Sequence, residues 1–282
     1  MRKSLIGIIL LSIVIVGIAL PAGFSAQADN KVITYGEATY NNAQYKSSVD
    51  NFFSQQANVD VGSINYKLIT ADEVNKIAST ITHKTYNSNQ ILSSALVDLD
   101  EQGSIKVTVD KSKITTITAD MYISALKSAG ITHGHVYVTS PVSATGESAL
   151  AGIMNSYEVV TDVEIPETVK EAANEEIYTE AEIIENDNVT ADELSSLVDD
   201  VKETVQNENI TDHATIVNII YNYTVNNNIN LTNSSIENLA TSIGGVQAVQ
   251  GDVESYTSQV TEFVGNNSGD FSLNGLFSRL GL

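Results

Sequence analysis

The sequence predicts an α+β protein, with a mixed α/β domain over residues 29–160 followed by an acidic all-helical domain over residues 161–265. Three observations predict it. Short β-branched runs alternate with helix-capping motifs in the front half, whereas the rear half carries apolar residues at helical spacing throughout. Charge is divided unequally: residues 29–157 hold 9 lysines and 12 acids, and residues 158–282 hold 2 lysines, 1 arginine and 23 acids. Finally, the 282 residues include no cysteine, so a core large enough to fold must be held by packing without disulfides.

Arg2 and Lys3 open the chain, an apolar run follows from Leu5 to Leu20, and Ala26-Gln27-Ala28 offers a small-residue cleavage site. This three-part pattern predicts a secretory signal over residues 1–28. An uncleaved N-terminal anchor is the alternative, although the run is short for a bilayer span. After cleavage no membrane-spanning segment is expected.

In the front half, residues 61–69 read as an extended segment feeding a helix that opens on the capping box Thr70-Ala-Asp-Glu73. Residues 91–99 and 104–109 flank Asp100-Glu-Gln-Gly103 and predict a β-hairpin. Met121, Ile123, Leu126 and Ala129 lie in a helix that Thr118 caps and Gly130 ends. Val136–Val138 is a strand, and a helix carrying Leu150, Ile153, Met154 and Tyr157 follows.

In the rear half, Thr190-Ala-Asp-Glu193 repeats the capping box ahead of a stripe of Leu194, Leu197, Val198, Val201 and Val205. Ile216, Val217, Ile219, Ile220 and Tyr223 form the next stripe. Ser234-Ser-Ile-Glu237 is expected to cap a longer helix that Gly244-Gly245 and Gly251 kink or break. Residues 266–282 read as a flexible linker and a short apolar tail.

Three segments resemble the YpuA-like family of exported prokaryotic proteins, a family of unknown function. They are Val32–Glu37, Met121–Ile131 and, most specifically, Val138–Glu158, where a Pro-Val-Ser loop runs into a Gly-Ile helix ending in Tyr-Glu. The resemblance is good over residues 32–160 and loose over the acidic half. It implies an exported, envelope-associated protein with an α/β front and a helical rear, and carries no catalytic or ligand residues with it.

The formal charge of −21 argues against a nucleic-acid partner. No Walker or dinucleotide glycine loop is present, and no cofactor is expected. Several groups nevertheless invite a site. The loop Ser140–Glu147 joins a strand to a helix, a place where backbone N–H groups hold anions, unless Ser143 or Thr145 merely caps the helix. His133 and His135 would share one strand face and need His83 or His213 to complete a metal site, so none is assigned. Asp98–Val109 begins like a calcium loop but has valine where the bidentate glutamate belongs.

Residues 164–203 carry 14 acids against Lys170 and Lys202 alone, which reads as a solvated helical face. Six Asn-x-Ser/Thr sequons match the about five expected by chance from the composition. No catalytic constellation stands out, and the binding residues are not identifiable. The sequence therefore suggests a secreted or surface protein that binds an envelope polymer or surface protein without catalysis, with a hydrolase of envelope polymers as the alternative.

Overall fold

The computed structural model describes residues 30–267 apart from 82–84 and 102. Residues 1–28, where a signal is expected, His83 and the expected tail from residue 268 lie outside the described residues. Five strands form the sheet: β1 (Lys31–Gly36), β2 (Asn65–Ile69), β3 (Ser94–Asp98), β4 (Lys106–Val109) and β5 (His135–Thr139), in the order β2-β1-β3-β5-β4. β1 and β2 are parallel, as are β4 and β5, while β3 runs antiparallel to both of its neighbours.

The expected hairpin is therefore absent: β5 inserts between β3 and β4. The pleat explains why the pattern misled. β3 is buried along its whole length in the sheet centre, where alternation carries no information about which strand lies beside it.

The two faces of the sheet are covered differently. Ile33, Tyr35, Leu96 and Tyr137 meet Val49 and Phe53 of α2 (Ala43–Ala57), which follows the single turn α1 (Glu37–Tyr40). The opposite face, with Val97, Val136 and Val138, packs against α3 (Ala71–Ile81), α4 (Ala119–Ser128) and α5 (Ala149–Thr161). That core continues across residue 160 into α6 (Glu167–Asn186), through Val169, Ala173 and Ile177, and takes in Tyr256 of α10 (Gln250–Asn267). A separate rear core joins α7 (Ala191–Asn207), α8 (His213–Asn227) and α9 (Asn233–Ala248) through Leu197, Val201, Ile216, Ile220 and Leu239. The molecule is thus α+β, a mixed front followed by a helical rear.

Local capping chemistry behaves as read. Glu73 Oε2 accepts from the Thr70 backbone N–H at 2.8 Å, Glu193 Oε2 does the same for Thr190 at 2.9 Å, and Thr118 accepts from the Met121 N–H at 3.3 Å. Two boundaries move. The N-cap of α9 is Thr232, whose hydroxyl accepts from the Ser235 N–H, rather than Ser234. The helix also runs straight through Gly244-Gly245 and breaks at Val249. Among the described residues no helix is long and apolar enough to cross a membrane.

Candidate functional site

Tyr35 near the end of β1, Tyr40 at the end of α1 and Tyr66 on the edge strand β2 converge on the α2 side of the sheet. Tyr40 and Tyr66 stack with centroids 5.2 Å apart, and their hydroxyls lie 2.6 Å apart. Tyr35 closes the cluster edge-on to Tyr66 at 5.9 Å. Its own hydroxyl donates to Asp50, and the Lys46 ammonium sits 4.5 Å over its ring while pairing with Asp50 at 2.7 Å. Burial pushes the Tyr35 phenol far above its ordinary value, with Asp50 adding to the effect.

Tyr66, by contrast, is 50% exposed. The chain supplies this arrangement locally: Gly36 lets the backbone turn directly against Ile91 and Ser93, where any Cβ would lie 2.4 Å from the Ile91 carbonyl oxygen. The result is a ledge of aromatic faces with hydroxyl tips and one ammonium–carboxylate pair, apolar on the ring and hydrogen-bonding at its rim.

Further along the same face, register aligns Lys31, Asp98, His135 and Lys106 across β1, β3, β5 and β4. Lys31 pairs with Asp98 at 3.0 Å and with Asp100. His135 sits 3.0 Å from Glu101 and 2.8 Å from the Thr108 hydroxyl, and Lys106 also reaches Glu101 at 3.0 Å. Two groups singled out in the sequence lie here. The carboxylates of the calcium-like loop are engaged with lysines and a histidine, and Asp98 is a buried strand residue. The two imidazoles do not share a face: Gly134 takes φ +99°, so His133 lies before the strand, edge-on to Tyr157 of α5, while His135 stacks on Tyr137 on the α2 side. His213 pairs instead with Glu237 of α9, at 3.8 Å. Among the described residues no three His, Cys, Asp or Glu side chains gather around a metal position.

The loop 140–147 is stitched to residues 113–117: the Ala144 N–H donates to Lys113 O, and the Thr115 N–H donates to Ala144 O, both at 2.9 Å. Neither Ser143 nor Thr145 caps α5, whose N-cap is Ser148 without a side-chain bond. Gly146 takes φ +115°, and its carbonyl accepts the Tyr122 hydroxyl at 2.5 Å. Ser140 Oγ and Glu147 Oε2 are buried without partners.

The acidic stretch departs most from its reading. Glu176 and Glu180 are both 0% exposed, on the face of α6 turned towards α4 and α7. The readable signal was the rarity of cations. Lys170 pairs with Glu158 and Glu167, both at 3.2 Å, and Lys202 pairs with Glu176 at 2.7 Å.

Residues 35–263 match the family described as "Protein of unknown function (DUF1002)", and the chain belongs to that family. The match runs through the acidic helices as well as the front. The uncharacterized protein YpuA of Bacillus subtilis (strain 168) is similar to the chain: it is 26% identical over 213 residues, which are 76% of this chain and 70% of the relative. No solved structure matches.

Proposed function

We propose that the protein is exported, associates with the cell envelope, and holds a polysaccharide strand of that envelope against the Tyr40–Tyr66 ledge without catalysis. The stack of Tyr40 on the half-exposed Tyr66 of the edge strand carries this reading. Pyranose rings offer an apolar C–H face to such rings and hydroxyls to such a rim, and aromatic side chains with polar tips suit surfaces that are partly dry and partly wet. The charged start, apolar run and Ala26–Ala28 exit support export.

Co-sedimentation of residues 29–282 with isolated envelopes, at low and high salt, tests the reading. Pelleting that survives salt and weakens about tenfold in Tyr66→Ala, the loss expected of one aromatic contact, supports it. Pelleting abolished by salt points to the acidic helices instead, and pelleting indifferent to Tyr40→Ala and Tyr66→Ala rejects the ledge. The hydrolase alternative draws on loop 140–147, where Glu147 keeps one buried oxygen free. Release of soluble fragments from the envelope, lost in Glu147→Gln, would put that reading first.

A further inference from the structure

A buried polar junction ties the helical rear to the sheet-bearing front. α4 turns Ser124 and Ser128 to one side, α6 brings Glu176 and Glu180 one turn apart, and α7 brings Asp199 and Lys202. The Lys202 ammonium donates to Glu176 Oε1 at 2.7 Å, to the Ser128 hydroxyl at 2.6 Å and to the Ser124 hydroxyl at 2.9 Å. Ser128 in turn donates to Glu176 Oε2 at 2.6 Å, and Ser124 donates to Asp199 at 2.7 Å. Both oxygens of Glu176 are therefore satisfied, and the single cation of the junction is fully engaged.

Glu180 is not satisfied. It is 0% exposed and neither carboxyl oxygen has a hydrogen-bond partner. Among the described residues Lys202 is the one cation that acts on it. α6 contributes Glu176, α7 contributes Asp199 and Lys202, and α4 contributes the two hydroxyls. The acid of α9, Glu237, is exposed and pairs with His213; Lys76 of α3 reaches Glu167, and Asp252 of α10 accepts from Thr168, both at the far end of α6; Glu158 of α5 pairs with Lys170. Burial raises the Glu180 carboxyl well above the ordinary glutamate range; Glu176 and Asp199 add to the rise and Lys202 opposes it.

We propose that Glu180 is the catch of a latch: as a neutral acid it lets α6 and α7 stay docked on α4, and losing its proton releases α7 from the front. An ionised carboxylate cannot remain in this junction without donors or a counter-ion, so water must enter or the helices must part. α7 is the element that yields, because its buried apolar side chains belong to the separate rear core, while it meets α4 through Asp199 and Lys202.

The experiment compares the full chain with Glu180→Gln and with Glu203→Gln, an exposed acid on α7 that controls for the change in net charge. Relative to Glu180→Gln, the unfolding equilibrium of the wild type should shift towards the unfolded state by up to about tenfold per pH unit above the ordinary glutamate range. Glu203→Gln should follow the wild type. Hydrogen exchange at pH 8.5 should accelerate in residues 191–207 of the wild type, beyond its intrinsic pH dependence, while β1, β3 and β5 stay protected. Parallel pH profiles for wild type and Glu180→Gln would overturn the proposal, as would acceleration spread evenly over the sheet. If Glu180→Gln does not fold, carbon-13 titration of the wild-type glutamates decides: one carboxyl still protonated at pH 7 supports the latch, and titration of every glutamate in the ordinary range rejects it.

Discussion

The front half-buries a histidine and the rear fully buries a glutamic acid, titratable groups of opposite kind. In the front, His133 packs against Tyr157, and burial holds its imidazole below the ordinary value. In the rear, Glu180 lies among other acids, and burial raises it. Loss of water favours the neutral form of both, yet the two shifts oppose each other on a pH axis. The shift at His133 weakens the front in acid, and the shift at Glu180 weakens the rear in base. The contrast also shows that the acids of the rear are no uniform solvent-facing coat: two of its carboxyl groups, Glu176 and Glu180, sit at its junction with the front.

Removing the cation of the rear junction should have the largest effect. Lys202→Met leaves Glu176 buried without its cation, and the cost should be roughly 3–5 kcal/mol, as for other buried pairs stripped of one partner. Urea unfolding at pH 7 measures it.

In the front, Gly152→Ala should cost about 1–3 kcal/mol by overpacking. A Cβ there would lie 2.8 Å from Thr34 Oγ1, where α5 packs on β1. An effect no larger than that of a surface substitution would mean that α5 can shift outward.

At the rear helix boundary, Thr232→Ala should cost about 1 kcal/mol, whereas Ser234→Ala should change little. Equal losses would move the cap back to the serine.

The smallest effect is the acid limb. His133 titrates near 6.5 when unfolded and lower when folded, so its contribution is present above pH 6.5 and is lost as the pH falls through the folded value. His133→Gln should flatten the decline of stability below pH 6.5. An unchanged acid limb would locate it in the carboxylates.

These sites differ in how far they could be read in advance. Thr70, Thr118 and Thr190 cap their helices as their spacing indicates, because a cap involves only residues three positions apart. The apolar stripes of α7 and α8 are likewise legible, since each helix buries one face. α2, with only Val49 and Phe53 buried, left no comparable stripe. The tyrosine ledge was invisible as a site, because Tyr40 and Tyr66 are separated by an entire helix and meet only through the parallel pairing of β1 and β2.

By itself, then, the sequence determined the α+β class, the charge division and the capped starts of α3, α4 and α7, all properties of neighbouring residues or of composition. Tertiary structure alone decided that β5 separates β3 from β4, that Gly134 sends His133 and His135 to opposite faces, and that Glu176 and Glu180 turn inwards. The physical reason is the same in each case. Strand order, the direction of a side chain beyond a residue with positive φ, and the burial of a charge depend on partners distant in the chain, and the period of a helix cannot say whether its acidic face meets water or a lysine.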